Sequence, residues 1–111
     1  MKTADKACMQ GDVMFVRVAA LPKKAKRVDH HTVAHSESGH HHVADSATLY
    51  EVGDPLIAYL RLEGVEYADV VHHKTGPDAH ETWRLLGGDG AVWRTHRQRE
   101  GGPLGWRRVA D

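Results

Sequence analysis

The sequence predicts an all-β domain, a small antiparallel sandwich or barrel of roughly seven to nine short strands. Three observations predict it. Several segments alternate apolar and polar residues with a period of two. Turn signals built from Gly, Pro, Asp and Ser recur roughly every ten residues. No segment keeps a helical period, and Gly and Pro interrupt the chain too often for long helices.

The strands follow in order. "DVMFVRVAAL", 12–21, is β-branched and aromatic and stops at Pro22. Met14, Val16, Val18 and Ala20 share one face, Phe15 and Arg17 the other. "PKKAKR" is a basic loop. "HTVAHSE" and "HHHVAD" flank Ser38-Gly39, a hairpin signal. "ATLYEV", 47–52, ends at Gly53-Asp54-Pro55. "LIAYLRLEG" sets Leu56, Ala58, Leu60 and Leu62 against Ile57, Tyr59, Arg61 and Glu63. The same letters also permit a helix capped by Asp54, with strand the preferred reading. "VEYADVVHH", 65–73, alternates again, and Gly64 predicts a tight hairpin with the segment before it. "ETWRLL" and "AVWRTHRQR" bracket Gly87-Gly88-Asp89-Gly90, a second expected hairpin, and "GWRRVAD" is a closing strand. Trp83, Trp93 and Trp106, with Phe15 and Tyr59, are the expected core.

At 111 residues the chain makes one domain, 1–111, with residues 1–10 expected as a flexible tail. Fifteen basic and fifteen acidic residues cancel, so no net charge draws it to nucleic acid or to a membrane surface. A single cysteine, Cys8, excludes an internal disulfide and the Cys-rich zinc sites. No apolar run approaches the ~20 residues of a membrane helix, and the N-terminus lacks a signal-peptide core. The expectation is a soluble cytoplasmic protein, or a virion component if phage-encoded.

Three blocks carry a resemblance: "QGDVMFVRVAALP" near the start, "AHSESGHHH" in the middle, and "RQRE" with "RRVAD" at the end. They resemble a group of small bacterial and phage proteins. That group shares a QGDV opening, a Gly-His-x-His motif, a later histidine-bearing segment before a strand, and a closing Gln-Arg-Glu. The resemblance implies that Gly39, His40 and His42 form the Gly-His-x-His motif. It also implies that His80, in "PDAHETWRL", is the last histidine of the second segment. Pro77 stands where that segment's first histidine would fall, so His72 or His73 is left to replace it. The resemblance implies a pattern of histidines and no particular reaction.

Ten histidines are present, and four of them (His35, His40, His41 and His42) fall within "HSESGHHHVAD". Neutral imidazole is the commonest ligand for zinc and its transition-metal neighbours. Side chains two apart on a strand point the same way, so His40 and His42 share a face and can share an ion. His80 and His73 are the expected ligands from elsewhere, with His35 across the Ser38-Gly39 turn as another. Glu37 or Asp45 offers a carboxylate. The metal reading is therefore zinc or another divalent transition metal on His35, His40, His42, His73 and His80. Three or fewer protein ligands would leave an open position for chemistry. The plainer alternative is exposed histidines on a wet strand. His30-His31, adjacent in sequence, reads as a solvated loop.

Other features are weaker. Arg94, Arg97, Arg99, Arg107 and Arg108 beside Trp93 and Trp106 have the composition of a base-stacking surface, but the neutral balance argues against nucleic acid. "QGDV" reads as an ordinary strand entry. No Gly-x-Ser-x-Gly and no phosphate-cradling loop occurs, and a Cys8–His dyad is not expected. A short β protein often hides its edges by self-association. A homo-oligomeric interaction module of phage or mobile-element origin is thus the competing reading.

Overall fold

The computed structural model describes residues 2–35, 41–73 and 82–97. Eleven strands occur among them, and no helix. One sheet holds β1 (Lys2–Ala4), β5 (Thr32–His35), β6 (His41–Ala44), β9 (Ala68–His73) and β10 (Trp83–Leu85), in the order β1-β10-β9-β6-β5. The other holds β2 (Ala7–Gln10), β3 (Val13–Val18), β4 (Lys26–Arg27), β7 (Thr48–Glu51), β8 (Ile57–Arg61) and β11 (Val92–Arg97), in the order β2-β3-β11-β8-β7-β4. Only β1 with β10 is parallel. The architecture is an open sandwich, not a closed barrel. No helix among the described residues is long and apolar enough to cross a membrane.

Alternation decides which residues enter the core. The six-stranded sheet contributes Val13, Phe15, Leu49, Ala58, Leu60 and Trp93. The five-stranded sheet contributes Ala4, Ala44, Ala68, Val70 and Leu85. On β9 the buried set is Ala68, Val70 and His72, whereas Tyr67 and Val71 face outward. Among the described residues the interior holds one fully buried indole, one phenyl ring and many aliphatic groups. Trp93 is fully buried and its Nε1–H donates to the Leu86 carbonyl at 3.0 Å. Trp83 and Tyr59 are only half-buried, and Trp106 lies outside the described residues. Among the described residues Trp93 and Phe15 are the fully buried aromatic side chains of the core, and half-buried Trp83 packs against it.

Both expected glycine hairpins are sheet-to-sheet corners. β8 and β9 flank Gly64 yet belong to opposite sheets, as do β10 and β11 around Gly87–Gly90. The two corners clamp each other. The Gly64 amide donates to Asp89 Oδ1 at 2.7 Å, Gly88 N to the Glu66 carbonyl at 3.0 Å, and Leu62 N to the Ala91 carbonyl at 2.9 Å. Gly87 has φ 133°, and a Cβ there would lie 2.7 Å from the Ala91 Cβ, so both backbone and space demand glycine. The hairpin expected at Ser38-Gly39 does pair β5 with β6 antiparallel, although the turn itself is outside the described residues.

The N-terminal residues depart from the expected tail. Residues 2–4 and 7–10 are strands, β1 completing the five-stranded sheet and β2 pairing with β3 across Gly11-Asp12. Their short polar letters give little alternation to read, and pairing with a partner strand supplies the order. These strands and the two-residue β4 raise the number above the expected range. The segment 57–61, which also permitted a helix, is strand β8. The expected closing strand, "GWRRVAD", lies outside the described residues.

A carboxylate network stiffens the outside of the six-stranded sheet. Glu63 accepts from Tyr50 Oη and Thr48 Oγ1 at 2.7 Å each, and from Arg61 Nε at 2.6 Å. The tyrosine and threonine hydroxyls, then Arg61, hold its carboxyl down to about 2. Because the folded state binds this proton more weakly than the unfolded chain, the stabilisation is complete above pH 4.5. It is lost as pH falls towards about 2. Chemical denaturation across that window should show a smaller acid loss in Glu63→Gln than in the parent. In the same assay at neutral pH, Trp93→Ala should cost about 3–5 kcal/mol. Val71→Ala, on the outer face, should change stability by less than about 0.5 kcal/mol.

Candidate functional site

The two ends of the sandwich differ. One is closed by the glycine corners. At the other, β2 ends, β3 begins, β11 ends, and β6 and β9 present their histidine ends. There the space between the sheets is polar, where the middle is aliphatic.

Gln10, the last residue of β2, is buried. Its Nε2–H donates to the Val70 carbonyl of the opposite sheet at 2.9 Å. A carbonyl can only accept, so the nitrogen of the amide must face Val70 and Oε1 must face the other way. Oε1 lies 2.7 Å from Nδ1 of buried His42. It follows that His42 Nδ1 carries a hydrogen and donates it. In the neutral ring the lone pair is then on Nε2. Asp12 Oδ1 lies 3.9 Å from that Nε2, and Asp12 Oδ2 lies 3.7 Å from Nε of Arg97, the last residue of β11. Position 97 continues the buried series of Trp93 and Thr95, so this arginine closes the core side of its strand. The His72 ring stacks on the His42 ring, with centroids 4.4 Å apart and planes 21° apart.

The local sequence explains the placement. Gly11, at φ 64°, takes the first position of a two-residue loop between β2 and β3. The loop sets Gln10 on one side and Asp12 on the other, both within reach of one imidazole. "QGDV" is thus part of the site, where the letters alone read as a strand entry.

The family described as domain of unknown function DUF8820 matches over residues 9–98. The chain belongs to the DUF8820 family. The matched span runs from the residue before Gln10 to the residue after Arg97, so the polar mouth is family territory. No curated protein and no solved structure matches the chain.

Register sorts the expected metal ligands of this DUF8820 domain into two groups. His42 pairs with His72, and His41 with His73. On the other side His35 pairs with His41, and Ala34 with His42. Neighbouring positions on a strand alternate between faces, and the backbone register separates two rows. The histidine on the face of His42 is His72, and His35 and His73 belong to the row of His41. A shift of one residue makes the whole difference. His40 and His80 lie outside the described residues. Among the described residues, no group of three or more His, Cys, Asp or Glu side chains is placed to hold a metal ion.

Two other features border the site. A cleft of about 510 Å³ runs between the sheets, with His30, Glu51, Asp54 and Arg97 on its walls, and Val33 and Leu49 among its apolar lining. Arg97 therefore joins the cleft to Asp12. Cys8, expected in a mobile tail, sits half-buried in β2, and burial pushes its thiol up to about 11. It is protonated at neutral pH and a poor nucleophile. His30 lies 3.5 Å from Glu51, and His31 Nδ1–H donates to the Ala47 carbonyl at 3.1 Å, so the adjacent pair has separate partners.

Gln10→Leu removes one amide that serves two buried groups. Each deprived group costs about 1–3 kcal/mol, so urea unfolding should show a loss of at least about 2 kcal/mol. A loss no larger than that of Val71→Ala would show that the amide does not tie the sheets.

Proposed function

We propose that this protein binds a divalent transition metal, zinc or one of its neighbours, at the polar mouth of the sandwich. His42 Nε2 is the first ligand and Asp12 the carboxylate beside it. One observation carries the reading: the Gln10 carbonyl holds the Nδ1–H of His42. Histidines that bind metals characteristically donate their second nitrogen to a carbonyl or carboxylate, which fixes the ring and its tautomer.

The distance supports a shared ion. Two ligands about 2.1 Å from one zinc lie about 3.4 Å apart at the tetrahedral angle. The observed 3.9 Å closes by roughly half an ångström, a side-chain adjustment. His72, stacked on His42, holds the ring plane. His40, two positions before His42 in the sequence, and His80 are the candidates to complete the shell. With three protein ligands the ion keeps an open position and acts as a Lewis acid. Arg97, between Asp12 and the cleft, gives that position an anionic preference.

A second reading, a homo-oligomeric interaction module, has one observation in its favour: among the described residues β1, β5, β2 and β4 are the edge strands of the two sheets. It requires an oligomer whose mass ignores chelator.

Untagged, chelator-stripped protein tests the metal reading. Zinc at about 100 times its Kd should stabilise the fold by about 2.7 kcal/mol, read as a rise in Tm. His42→Ala should abolish the part of that rise due to this site, and Gln10→Leu should weaken zinc affinity roughly 10- to 100-fold. A titration in which His42→Ala binds zinc as the parent does would contradict the assignment.

A further inference from the structure

We infer that the cleft beside the mouth binds a small zwitterionic molecule, an amine and a carboxylate joined by a short apolar chain. The amine sits on Glu51 and the carboxylate on Arg97. The inference goes beyond the metal reading and stands whether or not the mouth holds an ion.

Register places the two charges on the inner face of the six-stranded sheet. Glu51 ends β7 and is paired with Ala58 of β8, which is paired with Thr95 of β11. Ala58 and Thr95 are buried, so this line faces the other sheet. Glu51 continues the series of buried Leu49, and Arg97 that of Trp93 and Thr95. β8 lies between β7 and β11. Two strand spacings across and two residues along put the backbone positions of Glu51 and Arg97 about 12 Å apart. Between them the floor is Ala58, whose methyl group leaves the space open, with Leu49 beside it and Val33 of β5 on the facing sheet. The cleft measures about 510 Å³. Small-molecule sites run from about 300 to 1,000 Å³.

The two charges are loosely held. Elsewhere in this protein carboxylates and arginines close tightly, Arg61 Nε on Glu63 at 2.6 Å and Arg84 Nε on Asp69 at 2.8 Å. Here Glu51 lies 3.5 Å from His30 Nε2, and Arg97 Nε lies 3.7 Å from Asp12. A charge-assisted hydrogen bond is about 2.7–2.9 Å long, so neither contact reaches full strength. A ligand ammonium can close on Glu51, and a ligand carboxylate on the fork of the Arg97 guanidinium. Asp54, in the turn after β7, adds a second carboxylate to the wall. Its turn is fixed, with Oδ1 accepting from the Leu56 amide at 2.9 Å and its carbonyl from the Ile57 amide at 3.1 Å. A simple anion would meet Glu51 and Asp54, and a simple cation would meet Arg97. A molecule with both charges satisfies each end, and its apolar chain covers Ala58 and Leu49.

NMR titration of the full, chelator-treated chain with ε-aminocaproate tests the site, with hexylamine and caproate as one-ended probes of the same length. ε-Aminocaproate should bind saturably and shift the amide signals of Val33, Leu49 and Ala58. Each one-ended probe should bind at least about 10-fold more weakly, because it lacks one charge-assisted bond. Glu51→Gln should weaken ε-aminocaproate and hexylamine at least about 10-fold and leave caproate unchanged. Arg97→Gln should weaken ε-aminocaproate and caproate by a similar factor and leave hexylamine unchanged. If Arg97→Gln does not fold, the one-ended probes on the parent decide the matter. Equal affinity for all three probes would overturn the inference, and so would the absence of saturable shifts at the cleft. Failure of zinc to bind would contradict only the mouth reading, and failure of ε-aminocaproate only this one.

Discussion

The primary amide of Gln10 ties the two sheets together at the mouth. It leaves the six-stranded sheet on β2 and ends on the other sheet, giving a hydrogen to Val70 and taking one from His42. A buried amide is costly unless its donors and acceptors are used, and here both ends are. The tie has a chemical consequence beyond stability. Because Val70 offers only an acceptor, the amide has one orientation, and that orientation gives His42 one tautomer. The nitrogen beside Asp12 is then a base or a ligand, not a donor.

Stability and chemistry are divided along the length of the sandwich. The corner end is backbone chemistry, two glycine turns clamped by Asp89 and by Leu62, Gly64 and Gly88 amides. The middle is aliphatic packing around Trp93 and Phe15. The mouth holds Gln10, Asp12, Arg97, His42 and His72, groups that a short chain with a small core would not place between its sheets for packing alone. The family match over residues 9–98 covers this end together with most of both sheets.

Much of the fold was legible in the letters. Period-two alternation identified β3, β8 and β9, because each strand has one buried and one wetter face. The partition of strands between sheets was not legible. A glycine turn looks the same whether it joins neighbours in one sheet or carries the chain across the core, and the two corners of this protein do the second. The N-terminal strands escaped because their order comes from a partner strand. At the site, the letters located the histidine segments but could not give their register. Register is set by the long-range pairing of β6 with β9, and a one-residue slip exchanges His72 for His73. Gln10 and Asp12 were visible only as a strand entry, since nothing local connects them to a histidine thirty residues away.

The central claim concerns a single proton, and nitrogen-15 NMR of the histidine side chains reads it directly. Long-range proton–nitrogen correlation at neutral pH distinguishes a protonated ring nitrogen from one with a lone pair. For His42 in the metal-free protein, at a pH where its ring is neutral, a hydrogen on Nδ1 and a lone pair on Nε2 are the predicted result. A His42 ring with its hydrogen on Nε2 would contradict the account.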